Sequence, residues 1–434
     1  MTGILSVPEA GTVRWTCPFC LLLCDNLSVR VSANGESLEL VDGECSAARS
    51  GLAQFSGTPS HATPLVDGHA CDLAEAVGAA ARILGASGQP LFGGLGTDVA
   101  GARALYRLAC ETGAICDPAG GAALMRGVRT LQDRGGYSTT LAEVRNRADL
   151  IVCVGGLPGG DFLARCIVAG DELVARRHVV LLGGSDDELA ALTAMGAQSG
   201  FTSERVALQG DLFSTAAALA ALVAGKPVRD SALALATLAE SLRAARYAVL
   251  VGDTPRLPAQ GELIIEAINR VVATLNLKTR AAASWLGGGN GAGTCNEVFT
   301  WLSALPLRSR AGPAGLEHEP LCFDASRLLA DGAVDSLLWV SSFDATRTPP
   351  STDVPRVVLG HPGLASFAAH RGNVFIPVST PGIGSAGHLF RADGRAVLPL
   401  VPLYRDDSLP LLADVLDGIG QAIRALRAKV GATA

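Results

Sequence analysis

Short apolar runs rich in β-branched residues alternate along most of the chain with longer stretches in which apolar positions recur at helical spacing. Asp72–Leu84 has that spacing behind Asp72, a good N-cap, and Asp98–Thr112 repeats the arrangement. Pro90–Gly94 and Ala114–Cys116 read as buried strands, the second stopping at Asp117-Pro118. Strands are predicted at Asp149–Val154, His178–Leu182, Arg205–Gln209, Tyr247–Val251, Leu275–Ala281, Asp335–Ser341, Arg356–Leu359 and Val374–Val378. Helices are predicted at Phe162–Val174, Asp186–Met195, Asp211–Val223, Ser231–Arg243, Gly261–Leu275 and Leu411–Lys429. Strands and helices in this alternation argue for parallel sheets with helices on both faces.

Residues 1–60 break the pattern. Leu27–Val31 and Ser37–Val41 read as two strands around Ala33-Asn34-Gly35-Glu36, and Asn-Gly is a strong hairpin signal. The expectation is a small Cys-bearing hairpin module ahead of the α/β region. Several later strands end in small or acidic residues, as in Val154-Gly155-Gly156, Gly183-Gly184-Ser185-Asp186 and Gly252-Asp253. Ligands of open α/β sheets bind beyond such ends, although tight turns need the same residues. No stretch fits G-x-G-x-x-G opening a helix, so a nucleotide-binding module is a minor alternative. The loop Gly287–Gly293 reads equally as a backbone cradle for a phosphate group or as a mobile segment.

Composition narrows the function classes. A net charge of −6 gives no electrostatic case for nucleic acid or an anionic membrane as partner. The 49% hydrophobic and 18% charged residues suit a compact α/β protein with little surface left over for solvation, and they fit burial of part of that surface against partners. No apolar run approaches the roughly 18 residues of a membrane helix, and Met1–Gly11 lacks the features of a secretory peptide. Eleven cysteines scattered over a long chain suit a reducing compartment, so the expected location is the cytoplasm. The seven histidines show no metal-binding helix pattern, Glu317-His318-Glu319 reads as a polar loop, and no G-x-S-x-G elbow is present.

The sharpest chemical signal is Cys17-Pro18-Phe19-Cys20-Leu21-Leu22-Leu23-Cys24 followed by Cys45, a C-x₂-C-x₃-C-x₂₀-C spacing. Three thiols in one turn of chain plus a distant fourth suit a [4Fe–4S] cluster better than zinc, which favours paired knuckles. Unmetallated thiols are the remaining reading. The other cysteines, at 71, 110, 116, 153, 166, 295 and 322, read as small buried hydrophobes.

With two α/β lobes behind it, this Cys-bearing start resembles the molybdopterin oxidoreductase superfamily, and within it the B subunit of formylmethanofuran dehydrogenase. The resemblance rests on Trp15–Asp25, on Leu141-Ala142-Glu143-Val144-Arg145-Asn146-Arg147-Ala148-Asp149-Leu150-Ile151-Val152, on Asn296–Trp301 and on Phe390-Arg391-Ala392-Asp393-Gly394. It covers about residues 12–405. It implies two Rossmann-like doubly wound lobes, one discontinuous. The expected plan is a Cys module at 1–60, a first lobe from 61–140 plus 325–405, an inserted lobe at 141–324 and a C-terminal helix at 406–434.

The departures from the family are informative. Its metal-ligating Cys or selenocysteine lies on the loop after the strand that here ends at Asp117, and that position falls on Ala123-Leu124. A basic residue expected after the fourth cysteine is replaced by Ser46-Ala47-Ala48, and two acidic residues are missing from Gly382–His388. A molybdenum or tungsten pterin is therefore not expected, while Cys17, Cys20, Cys24 and Cys45 remain candidate [4Fe–4S] ligands or vestiges of them. The pattern resembles the degenerate form in the bacterial formyltransferase/hydrolase complex. That implies a non-catalytic member of an assembly with a formyltransferase subunit, a metal-dependent amidohydrolase-like subunit and a further subunit. Such a complex passes formyl groups between tetrahydromethanopterin and methanofuran-type carriers and releases formate. The alternative is an active dehydrogenase subunit with a metal pterin and a cluster.

Overall fold

Polar residues that precede apolar-periodic runs act as helix caps. Asp72, Asp98, Thr140, Ser185 and Asp211 each accept a hydrogen bond from the backbone N–H three residues on, opening helices Leu73–Ala86, Val99–Thr112, Leu141–Arg147, Asp186–Ser199 and Leu212–Val223. The computed structural model describes residues 11–32, 37–43, 45–55, 62–159, 162, 177–229, 233–368, 370–394, 396–404 and 408–433. It is a mixed α/β structure with parallel sheets, and it divides into two units, Met1–Gly121 with Gly288–Ala434, and Ala122–Gly287.

The discontinuous unit opens with a three-stranded antiparallel sheet, Gly11–Trp15, Leu27–Val31 and Leu38–Leu40. The two strands expected here are present, while the Asn34-Gly35 turn between them lies outside the described residues. The unit's main sheet has the order Gly315–His318, Ser309–Gly312, Ile115–Pro118, Pro90–Gly96, Ser336–Ser341, Arg356–Gly360, Asn373–Pro377, Leu65–Val66, His69–Ala70. Its five central strands are parallel and almost entirely buried, as the apolar runs predicted. Antiparallel hairpins flank them on both edges, where they cap strands that would otherwise expose unpaired backbone. Helices Leu73–Ala86 and Val99–Thr112 pack against the long C-terminal helix Leu412–Thr433.

Unit Ala122–Gly287 is built on a parallel sheet in the order Thr202–Val206, His178–Leu182, Leu150–Val154, Tyr247–Asp253, Arg280–Leu286. Leu219, Leu238, Ile268 and Val272 of its helices close over the sheet in one apolar core. The first strand, expected at Arg205–Gln209, lies three residues earlier. It is an edge strand whose Thr202, Glu204 and Arg205 are exposed, so an apolar pattern could not mark it. The last strand, expected from Leu275, starts at Arg280. Helix Gly261–Leu275 ends on Asn276, whose side chain accepts from Ala281 N at 3.0 Å and donates to Val272 O at 3.0 Å. Most of the expected helix Phe162–Val174 lies outside the described residues.

The division between the units falls at 121/122 and 287/288, compared with 140/141 and 324/325 in the sequence-based plan. Helix Gly121–Arg134, which the sequence reading did not anticipate, sends Arg126 Nη1 to Thr254 O at 2.8 Å and Leu257 O at 2.9 Å. Helix Ala292–Ser303 instead packs on helix Val99–Thr112, where Phe299 meets Tyr106 edge-on at 5.3 Å.

Candidate functional site

The cysteine loop hangs between strands Gly11–Trp15 and Leu27–Val31. It is closed by Cys17 N donating to Cys24 O at 3.0 Å and Leu23 N donating to Cys20 O at 3.3 Å, with Leu23 at φ 43°. Cys17, Cys24 and Cys45 are buried and Cys20 half-buried. Cys45 is also the N-cap residue of helix Ser46–Ala53. Burial pushes the Cys17 thiol well above its ordinary pKa, and the nearby Cys20, Cys24 and Cys45 add to the rise. The four thiols singled out by their spacing thus share one neighbourhood.

Among the described residues no three His, Cys, Asp or Glu side chains are grouped so as to hold a metal ion, and no disulfide is present. The [4Fe–4S] cluster that the spacing suggests needs thiolates facing a common centre.

An aromatic row leads away from the loop. Trp15 lies 5.8 Å from Phe19, Phe19 lies 6.1 Å from Phe55, and Phe55 meets the His361 ring edge-on at 4.7 Å. Gly51 permits this row, since a Cβ there would stand 2.1 Å from Phe19 Cδ2. His361 follows the strand Arg356–Gly360 at the carboxyl edge of the main sheet. Its Nδ1 accepts from Gly363 N at 2.9 Å, which places the proton on Nε2. Burial lowers its pKa to about 4, against a smaller opposing pull from Asp344. Nothing in the sequence marked His361, because it lies in no motif.

The glycine-rich loop lies in the same unit from Gly288 onward, where it is a packed element. Gly293 N donates to Gly288 O at 2.8 Å and Ala292 N to Gly289 O at 3.2 Å. Those are two of the first-turn amides of helix Ala292–Ser303. Asn290 Nδ2 reaches Ser341 Oγ at 3.3 Å, and Thr294 Oγ1 accepts from Phe390 N at 2.9 Å. Between this loop and the cysteine loop lies a shallow cleft lined by Pro18, Cys20, Leu21, Asn290, Leu389 and Phe390 among others.

Ala123-Leu124 sit in the first turn of helix Gly121–Arg134, where the resemblance placed a metal-bearing loop. Earlier in the chain, Asp117 is buried and held by Arg308, Nε to Oδ1 at 3.0 Å, and by Ala325 N at 2.8 Å. Burial raises its pKa and the Arg308 guanidinium opposes the rise. Glu317 and His318 belong to the edge hairpin: Glu317 pairs with Arg310 at 2.7 Å and His318 Nδ1 donates to Arg308 O at 3.1 Å. Cys116, Cys153 and Cys295 are buried, as expected, with thiols raised by burial. Cys110 and Cys322 are exposed and Cys71 half-buried, against expectation, and Cys166 lies outside the described residues. Cys110 lies near the end of a helix on its outer face, where the apolar period does not distinguish surface from core.

No protein-family model matches the chain. It is 30% identical over 364 residues to the Fhc B subunit of the formyltransferase/hydrolase complex of Methylorubrum extorquens, an alignment spanning 83% of this chain and 96% of that protein. It also resembles a chain in the crystal structure of the formyltransferase/hydrolase complex FhcABCD from Methylorubrum extorquens with methylofuran. That match has a TM-score of 0.72 and 28% identity, and covers 84% of this chain and all of the other.

Proposed function

Because the chain belongs to the family of the Fhc B subunit of formyltransferase/hydrolase complexes, we propose that it serves as the B subunit of such a complex and carries no redox centre of its own. Its partners in this reading are a formyltransferase subunit, a metal-dependent amidohydrolase-like subunit and a further subunit. The assembly would move one-carbon units between tetrahydromethanopterin and methanofuran-type carriers and release formate, with the chemistry in the partners. The presence of methylofuran in the related FhcABCD structure supports the carrier class.

The observation that carries the non-catalytic part is the first turn of helix Gly121–Arg134. Ala123 and Leu124 offer no side-chain atom that ligates a metal or moves a proton, and the sequence resemblance assigns them to the position of the oxidoreductases' metal ligand. The lobes of the chain are read as Rossmann-like, with a Cys-bearing module in front, and the location as cytoplasmic. In support, among the described residues no helix is long and apolar enough to cross a membrane.

One observation favours a second reading, an active dehydrogenase subunit: Cys17, Cys20, Cys24 and Cys45 still gather in one place. Metal analysis of the anaerobically purified complex separates the two. Molybdenum or tungsten near one per chain makes the chain an oxidoreductase subunit. Their absence from a complex that still releases formate supports the scaffold.

A further inference from the structure

The parallel strands of unit Ala122–Gly287 stand in the spatial order third, second, first, fourth, fifth of their chain order. The order reverses between Leu150–Val154 and Tyr247–Asp253. In open sheets of this kind, phosphate-bearing ligands settle beyond the carboxyl ends of the strands at that reversal, on backbone amides and a nearby cation. The chain leaves the first of these strands through Gly155 and Gly156, at φ 82° and 128°. Beyond them, Leu157 N and Gly159 N are donors of the kind such ligands use.

Both amides are engaged by side chains of the same unit. Glu188, in the first turn of helix Asp186–Ser199, accepts at Oε1 from Leu157 N at 3.2 Å and from Arg256 Nη2 at 3.0 Å. Its Oε2 accepts from Ser185 N at 2.9 Å. Asp253 Oδ2 accepts from Gly159 N at 3.2 Å. Arg256, which a phosphate would otherwise attract, donates through Nη1 to Leu157 O besides pairing with Glu188. The glycines make room for the carboxylate: a Cβ on Gly156 would lie 3.1 Å from both Glu188 Oε1 and Arg256 Nη2, and one on Gly184 2.6 Å from Glu188 Oε2.

A capping box with Ser185 explains the bond at Oε2, since Glu188 N in turn donates to Ser185 Oγ at 3.2 Å. It does not explain the two bonds at Oε1, which come from the loop after a different strand and from Arg256. Burial works against the charge, yet hydrogen bonds from Ser185, Arg256 and Leu157 outweigh it and hold the carboxyl below its ordinary pKa. We infer that Glu188 fills, with its own carboxylate, the anion position at the strand reversal of this unit, and so shuts that position to phosphate-bearing ligands. Two carboxylates against one guanidinium leave the local field repulsive to a further anion.

The test uses the full chain and inorganic pyrophosphate, with titration calorimetry and thermal unfolding as readouts. The wild type is expected to show no saturable binding. Glu188→Ala is expected to bind pyrophosphate at least about tenfold more tightly than the wild type, because it frees Leu157 N and Arg256 and removes a like charge. Arg256→Ala added to it is expected to abolish the gain. Ser185→Ala breaks the capping box while leaving the carboxylate, and is expected to gain nothing. Wild-type binding equal to that of Glu188→Ala overturns the inference, as does a folded Glu188→Ala without a gain or an equal gain in Ser185→Ala. If Glu188→Ala does not fold, Glu188→Gln, which keeps a capping-box side chain, is judged by the same outcomes.

Discussion

Arg308 Nε stands 3.0 Å from Asp117 Oδ1, with only 5% and 4% of the two side chains exposed. The same guanidinium also reaches Asp324 and the carbonyl of Pro320. One buried cation therefore ties strand Ile115–Pro118 to the cap of helix Ala325–Ala330 and to the edge hairpin that starts at Ser309. Arg308 does this from φ 64°, a backbone conformation that L-residues seldom adopt. Arg308→Met leaves Asp117 buried without its partner and is expected to cost about 3–5 kcal/mol in urea unfolding. Adding Asp117→Leu is expected to recover a large part of that loss. A single variant as stable as the wild type would show that the pair is not coupled to the fold.

His361 predicts a pH dependence. Its folded pKa, about 4, lies below its ordinary value of 6.5, so the unfolded chain binds more protons between these values. Its contribution to stability is complete above about pH 6.5. It is lost as pH falls toward about 4, by up to about 3 kcal/mol. His361→Gln is expected to flatten that part of the stability–pH curve, read from denaturant midpoints at successive pH values. An unchanged slope would mean the imidazole is not held neutral.

The space under Phe19 gives a packing prediction. Gly51→Ala in an exposed helix should stabilise, by about 1 kcal/mol. Here the new methyl would overlap the Phe19 ring, so a loss of about 1–3 kcal/mol is expected together with a changed near-ultraviolet signal from Trp15 and Phe19. A gain in thermal midpoint would contradict the aromatic row.

The thiols can be ordered by reactivity. Cys110 and Cys322 are expected to react with a thiol reagent in the folded chain, whereas Cys17, Cys116, Cys153 and Cys295 should react only on unfolding. Anaerobic incubation with iron and sulfide is expected to leave the chain without the visible absorbance of a cluster. Appearance of that absorbance, lost in Cys17→Ser, would make the quartet a ligand set.

Much of the sheet framework was legible because buried parallel strands such as Val179–Leu182 and Leu337–Val340 are continuous apolar runs, and because Asp72, Asp98 and Asp211 announce their helices. The edge pieces were not. Hairpin Ser309–Gly312/Gly315–His318 is polar, and helix Gly121–Arg134 opens behind Gly120-Gly121 rather than behind a Ser, Thr, Asp or Asn. The thiol neighbourhood was visible from spacing alone. Arg308, Glu188 and His361 were not, because each acts through partners distant in the chain. Arg308 holds Asp117, 191 residues away, and Glu188 accepts from Leu157, 31 residues away. His361 meets Phe55 from the far end of the main sheet's sequence. Local pattern carries no record of such pairings.

The most direct test of the central claim is native mass spectrometry of the assembly captured through this chain from its own cells, with elemental analysis of the same sample. The account predicts a complex that contains formyltransferase and amidohydrolase-like subunits, releases formate, and holds no molybdenum or tungsten on this chain. A chain recovered alone, or one carrying either metal near one equivalent, would contradict it.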